Sequence, residues 1–247
     1  MDCHEERPHP DDHPLRRKLN DHCQSIECQT CHIPTFARIK PTLMFWDWSG
    51  AGKDTHVSKN DPYCITLYKK KKGLLIKRKN VQPVYAWYNG TFRRYLAGDP
   101  VNLQGVTDLN SPVGEISDPR AKITPYKLYQ AVQPADGVYG YLIVPNLWGG
   151  FWKHFDWNQA AKVGMKAAGL KYSGKVVFVK TRMYWRINHG VVPKGQALSC
   201  TDCHRPDGVM DFKALGYKDG PAVTGARFRK SGMTKAPGID GGPKIAF

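Results

Sequence analysis

The sequence predicts an α+β fold with much irregular structure, in which a motif-bearing segment at each end flanks a middle rich in β-hairpins. Glycine and proline, with 24 and 18 copies, make up about a sixth of the 247 residues and predict many turns. Through the middle, short apolar runs of strand length alternate with turn residues. One five-residue pattern of cysteine and histidine occurs near each end of the chain.

Composition and charge narrow the class of protein. With 41% apolar and 11% aromatic residues, the chain can build a buried core, which excludes a disordered protein. No run reaches the roughly 18 apolar residues of a membrane-spanning helix. The net charge of +16 indicates an anionic partner, which is a nucleic acid, an anionic surface or a small anionic substrate.

The five-residue pattern is Cys-x-x-Cys-His, found at residues 28–32 and 200–204. Two cysteines at this spacing form thioethers with the two vinyl groups of one haem, and the adjacent histidine then ligates the iron. Each complete motif therefore predicts one covalently attached haem c. The predicted attachment residues are Cys28, Cys31, Cys200 and Cys203, and the predicted iron ligands are His32 and His204.

A zinc site is the main alternative. Two Cys-x-x-Cys pairs could bind one zinc ion, and a basic zinc protein would then be a nucleic-acid binder. The pairs are much farther apart than the roughly 15–20 residues usual in zinc ribbons. A zinc site formed by the two cysteine pairs also does not require a histidine directly after each pair. The sequence therefore favours haem, and no nucleic-acid partner.

The N-terminus suggests a third haem. Residues 1–4 read Met-Asp-Cys-His, so a cysteine before Met1 would complete another motif, with Cys3 as an attachment residue and His4 as a ligand. The chain shows no secretory signal, although haem c is attached outside the cytoplasm. We therefore expect the C-terminal part of a longer periplasmic or extracellular multihaem protein. The alternative is a surface Cys-His pair near a true start.

Residues 1–40 form the first predicted haem-binding segment, because they hold five of the nine histidines. A low-spin haem takes two axial ligands, so each haem needs a second histidine besides the one in its motif. His22 follows a short helical stretch before the first motif, and His189 precedes the second. These two are the favoured distal ligands, and His9 is a further candidate.

Residues 41–155 contain no haem motif and are predicted to be rich in strands and turns. Residues 63–68 and 74–77 flank four lysines and a glycine, which predicts a hairpin with a basic tip. Residues 84–88 and 91–96 flank Asn89-Gly90, which predicts a second hairpin with a type I′ turn. The lysine tip is either a docking patch for a redox partner or simply a solvated loop.

Residues 156–247 are predicted to contain a helix, a strand, the last haem-binding segment and a glycine-rich tail. Asp156 caps a helix that Gly169 ends, and residues 175–185 are predicted to form a strand. Cys23 and Cys64 remain after haem attachment. They either form a disulfide or stay free thiols.

Four stretches of the chain resemble the octahaem tetrathionate reductase family of c-type cytochromes. They are Leu19-Asn20-Asp21-His22, residues 28–38, Met44-Phe45-Trp46-Asp47-Trp48-Ser49, and the stretch from Asn188-His189-Gly190 to Ala197-Leu198-Ser199-Cys200. The resemblance covers most of the chain, as the C-terminal half of the family pattern. It implies a multihaem cytochrome c fold.

Members of that family carry eight haems, most with two histidine ligands, and one catalytic haem with a lysine ligand. The resemblance implies that His22 and His189 occupy distal-ligand positions and that the catalytic haem belongs to the part of the family pattern that this chain lacks.

Two functional hypotheses follow. In the first, the chain transfers electrons within a periplasmic oxidoreductase that acts on a small sulfur or nitrogen compound such as tetrathionate, nitrite or hydroxylamine. Its partners would be redox proteins or quinol-linked cytochromes and the small oxyanion substrate of the parent enzyme. In the second, it is a stand-alone multihaem electron carrier without catalysis.

Overall fold

The computed structural model describes residues 7–10, 12, 14–55 and 64–218. In these residues one eight-stranded sheet is accompanied by a few short helices, which confirms the predicted α+β class. The helices are α1 Pro14–His22, α2 Cys28–His32, α3 Trp152–His154, α4 Trp157–Ala167 and α5 Cys200–His204. The strands are β1 Thr42–Asp47, β2 Cys64–Lys69, β3 Gly73–Arg78, β4 Val84–Tyr88, β5 Thr91–Arg94, β6 Val106–Val113, β7 Lys122–Asp136 and β8 Val176–Arg186.

The long strand β7 organises the sheet, whose order is β2-β3-β1-β7-β8-β6-β5. Strand β8 runs antiparallel along one edge of β7, from Tyr126 to Asp136. On the other edge, β4 pairs with the beginning of β7 and β1 pairs in parallel with Gln130–Val132. Most residues of β7 are buried, so it joins the two ends of the sheet through a continuous core.

The hairpin with the lysine tip is confirmed, since β2 and β3 pair antiparallel on either side of it. Gly73 ends the tip with φ +77°, and a Cβ there would lie 2.1 Å from the carbonyl oxygen of Asp47. The indole N–H of Trp46 donates to the carbonyl of Lys72 at 2.6 Å, and that of Trp152 donates to the carbonyl of Lys71 at 2.9 Å. Aromatic side chains therefore hold the backbone of the basic turn.

The second predicted hairpin is wrong in its pairing, although both of its strands form. Strand β4 pairs with β7, whereas β5 pairs with β6. A type I′ turn needs a positive φ at both central residues, but only Gly90, at +98°, has one. The amide of Asn89 donates to the Asp118 carboxylate at 2.7 Å and its backbone N–H to the Val113 carbonyl at 2.8 Å, so these contacts direct the chain away from a hairpin.

The predicted helix and strand of the third segment are both confirmed. The Asp156 carboxylate accepts a hydrogen bond from the Gln159 backbone N–H at 3.0 Å and caps α4, and Gly169 follows the helix with φ +70°. Strand β8 corresponds to the predicted 175–185 and joins the same sheet as the strands of the middle segment. The tail from 219 onwards lies outside the described residues.

Candidate haem-binding site

Both Cys-x-x-Cys-His motifs fold as short helices, α2 and α5. Residues three and four apart lie on one face of a helix, so the two cysteines and the histidine of each motif share a side. The backbone N–H of Leu198, just before α5, donates to the carbonyl of Cys31 at 2.9 Å. The fold thus brings together two motifs that are far apart in the sequence.

Helix α2 is anchored to the beginning of β7. The backbone N–H of Glu27 and the hydroxyl of the fully buried Thr30 both donate to the carbonyl of Ile123, at 3.0 and 2.8 Å. The N–H of Ile123 donates in turn to the carbonyl of Ser25 at 2.8 Å. An ion pair of 3.5 Å between Arg186 and Glu27 adds a contact with β8. These bonds fix the first motif against the sheet.

Helix α5 is held by a capping box. The Ser199 hydroxyl accepts from the N–H of Asp202 at 3.3 Å, and the Asp202 carboxylate accepts from the N–H of Ser199 at 2.8 Å. The Ser199 hydrogen bonds lower the pKa of Asp202. The half-buried Cys203 packs against the same apolar cluster as Trp87 and Ile123. Both motif helices therefore rest on one end of the sheet.

The motif thiols are neighbours, and burial controls their ionisation. Burial raises the pKa of Cys31 to about 12, and the nearby thiols of Cys203, Cys23, Cys28 and Cys200 add to the rise. Burial and the charge of Asp202 raise the pKa of Cys203 to about 11. The five cysteines whose side chains are described are all free, so no disulfide among them competes with thioether formation.

Cys23 lies beside the first motif. Its sulfur contacts the carbonyl of Leu19 at 3.5 Å, and burial, with a contribution from Cys28, raises its pKa. Whether Cys23 and Cys64 form a disulfide or stay free thiols is not tested by the described residues. The backbone of Cys64 begins β2, but its side chain lies outside the described residues.

The imidazole of His32 is oriented by the backbone. Its Nδ1 lies 3.2 Å from the carbonyl of Val192, and the N–H of Val192 donates back to the carbonyl of His32 at 2.9 Å. A carbonyl can only accept, so Nδ1 carries the proton and Nε2 keeps its lone pair for a metal. This is the arrangement that a proximal ligand requires.

The rings of His22 and His204 lie close together and nearly parallel. Their ring centroids lie 6.3 Å apart and their planes differ by 20°. Burial lowers the pKa of His22, and the nearby charges of His204 and Lys18 lower it further, which favours the neutral, metal-binding imidazole. The ring of Phe212 lies nearly parallel to His204 at 5.4 Å on the apolar side of the site.

Four further residues are predicted to attach haem or to ligate iron: His9, His189, Cys3 and His4. His9 is bound to α1, because its Nδ1 and its backbone N–H each lie 3.1 Å from the side-chain oxygen of Asn20. His189 is exposed, and Arg38 donates to the carbonyl of the next residue, Gly190, at 2.7 Å. Cys3 and His4 lie outside the described residues. The roles of all four as attachment or ligand residues stay predictions.

Tyr85 belongs to this site, although sequence reasoning missed it. Its hydroxyl is buried and has no hydrogen-bond partner among the described residues. Burial, with contributions from Cys203 and Cys31, raises its pKa. A tyrosine in an apolar strand pattern carries no local signal of a binding role, so the sequence offered no means of finding it.

The residues present fit haem better than a bare metal ion. In the described part of the chain, no group of three or more histidine, cysteine, aspartate or glutamate side chains is arranged to hold a metal ion, so the zinc alternative gains no support. By contrast, two thiols and an oriented imidazole on one helical face are the donor set of a haem c motif. None of the described helices is long and apolar enough to cross a membrane.

Comparison with known proteins gives two matches. The family model described as "Cytochrome c bacterial" matches residues 43–207, about two thirds of the chain. The crystal structure of an octahaem cytochrome c from Shewanella oneidensis is similar to the chain, with a TM-score of 0.82 and 44% sequence identity. The match covers 94% of this chain and 53% of that one, so the chain spans about half the length of its relative. Among curated proteins there is no match.

Proposed function

The chain belongs to the bacterial cytochrome c family, whose members carry covalently bound haem and transfer electrons, and we propose that it is the electron-transferring part of a larger multihaem reductase. Its matched relative is about twice as long, which supports a parent protein with more haems than the two complete motifs provide. The tetrathionate reductase resemblance supports a periplasmic oxidoreductase as that parent.

In this proposal each complete motif holds one haem. Cys28 and Cys31 attach the first, which His32 ligates. Cys200 and Cys203 attach the second, which His204 ligates. A haem iron supplies one-electron transfer, and its axial ligands decide whether it can also bind a substrate.

The observation that carries the proposal is the proximity of the nearly parallel rings of His22 and His204. Two imidazoles this close together could hold one iron between them, each through a ring nitrogen. The observed 6.3 Å therefore supports His22 as the distal ligand of the haem attached at the second motif.

This pairing favours electron transfer over catalysis at the second motif, because a haem held by both His22 and His204 would have no iron position left for a substrate. The same observation favours the second candidate function, a stand-alone electron carrier. The net charge of +16 supports a parent enzyme that attracts small anionic substrates such as tetrathionate or nitrite. Redox proteins or quinol-linked cytochromes are the proposed electron donors.

The test replaces His22 with alanine in the haem-loaded protein. We expect the haem count per chain to stay unchanged, and one haem more than in the unmodified protein to become high-spin and to bind cyanide. The matched control is His154→Ala, because His154 is an exposed histidine whose Nδ1 accepts a local bond from the N–H of Asp156 at 3.0 Å. A His22→Ala spectrum with no high-spin haem beyond those of the unmodified protein would contradict the assignment.

Intact mass and ligand binding separate the two candidate functions. A native polypeptide longer than this chain, with about eight haems and one that binds nitrite or cyanide, supports the reductase part. A mass equal to this chain plus two haems, with every iron six-coordinate, supports the stand-alone carrier. A colourless protein with one zinc ion would contradict both.

A further inference from the structure

Tyr85 lies on the face of the sheet that supports both motifs. In strand β4 it is opposite Pro125 of β7 and two residues before Trp87, so Tyr85 and Trp87 share a face. Both belong to the apolar cluster at this end of the sheet, against which Cys203 also packs. Ile123, which anchors α2, is part of the same cluster.

The hydroxyl of Tyr85 lacks the partner that a buried polar group normally has. It is buried and makes no hydrogen bond with the described residues, although tyrosine hydroxyls in protein interiors are usually paired. The ionisable groups that influence it are the thiols of Cys203 and Cys31, one from each motif. The unpaired hydroxyl therefore lies near one attachment cysteine of each motif, and Tyr85 packs against the same apolar cluster as Cys203.

We propose that Tyr85 is a positioning residue for the haem pair, whose hydroxyl would donate a hydrogen bond to the thioether sulfur of Cys203 or Cys31 and raise the reduction potential of the haem attached there. The inference rests on the proposed function, because it requires haem at both motifs. A donated hydrogen directs its positive end towards the haem. Since reduction adds one negative charge, this dipole stabilises the reduced form more than the oxidised form.

The test is the Tyr85→Phe variant of the haem-loaded protein, studied by a spectroscopic redox titration. We expect one haem to become harder to reduce, with at least a threefold change in its one-electron equilibrium constant, or about 30 mV towards lower potential. The haem count and the low-spin spectrum should not change, because phenylalanine keeps the ring that packs in the cluster.

Tyr88→Phe is the matched control. Tyr88 lies on the same strand but packs against the cluster on the opposite face of the sheet, with Ala86 and Tyr126. The same loss of a hydroxyl there should leave both potentials unchanged. An unchanged titration in Tyr85→Phe, or an equal shift in both variants, would overturn the role of Tyr85.

The two proposals fail in distinguishable ways. If haem is absent, or if His22→Ala has no effect on spin state, the proposed haem assignment fails before Tyr85 is tested. If both haems load with normal spectra and only the potential fails to respond to Tyr85→Phe, the tuning role fails and the haem assignment stands.

Discussion

The two ends of the sheet are built in different ways. At the beginning of β7, the motif end, half-buried side chains with polar or ionisable groups lie near the two motifs, among them Cys31, His22 and Tyr85. About 30 Å further along β7, at the rise usual for a strand, lies the aromatic end, where Trp48 donates its backbone N–H to Val132 at 3.0 Å.

The aromatic end is held together by rings that pack on one another, and the buried indole N–H of Trp157 there has no hydrogen-bond partner among the described residues. Phe151 is fully buried and lies 4.0 Å from the ring of Trp157, which in turn meets Trp48 and Phe178 at 6.1 and 5.6 Å. The motif end instead brings together the attachment cysteines of two motifs and two nearly parallel imidazoles. The difference lies in the chemistry of the side chains: packed rings stabilise the aromatic end, whereas the motif end carries the thiols and imidazoles of the proposed haem sites.

The lysine tip belongs to the aromatic end. Leu74, next to the tip, is opposite Asp47 of β1, and Asp47 pairs with Val132 of β7. Lys70 forms an ion pair with Asp54 at 2.9 Å. The tip therefore lies far from both described motifs, so a docking role for it would have to serve haems other than these two. That role stays a proposal alongside the solvated-loop alternative.

The strongest test of the comparison is Phe151→Ala. Removing a fully buried ring from the aromatic end should lower the free energy of unfolding by about 3–5 kcal/mol, because it removes apolar contacts and leaves a cavity. Denaturant unfolding measures the loss, and the reduction potentials of the protein that remains folded should not change. Trp148→Ala is the control. Because Trp148 is 81% exposed, its replacement should lower the free energy of unfolding by less than about 1 kcal/mol. Altered potentials would contradict the separation of the two ends.

A second test uses acid. The fully buried Asp136 ends β7 and accepts four hydrogen bonds, from the backbone N–H groups of Val138, Tyr139 and Ser173 and from the Ser173 hydroxyl. Burial alone would raise its pKa, but these bonds outweigh burial and hold the pKa below its usual value. The carboxylate thus adds stability above the unfolded pKa, and this stability is lost as the pH falls below about 4.

Asp136→Asn should therefore lower the free energy of unfolding by about 2–3 kcal/mol at pH 7 and remove part of its acid dependence. Denaturant titrations of both proteins between neutral and acid pH measure this. A variant with the same loss of stability at every pH would show that the carboxylate acts through shape rather than charge.

The smallest expected effect is at the motif end. Thr30→Val removes one hydrogen bond to Ile123 but leaves the bond from Glu27 to the same carbonyl. We expect a loss of about 1 kcal/mol in unfolding free energy with an unchanged haem count. The exposed Thr91→Val on β5 is the control and should have almost no effect. A loss of haem in Thr30→Val would mean that α2 depends on this single bond.

Several features could be predicted from the sequence because they depend on residues close together in the chain. Thioether attachment needs two cysteines three positions apart, so both haem motifs can be recognised directly in the amino-acid sequence. The same holds for the Asp156 cap of α4 and for the lysine turn between β2 and β3, whose partners lie within a few residues of each other.

Only the tertiary structure decided the contacts between distant residues. Asn89-Gly90 has the composition of a hairpin turn, yet β4 pairs with β7 because Asn89 finds partners in Asp118 and Val113. The meeting of His22 with His204, and of Tyr85 with Cys31 and Cys203, depends on which edge and face of the sheet each segment occupies. The spacing of residues along the chain determines which functional groups share a motif or a turn. The order of the strands in the sheet determines which of these motifs and turns come together, and that order is set by burial of apolar residues over the whole domain.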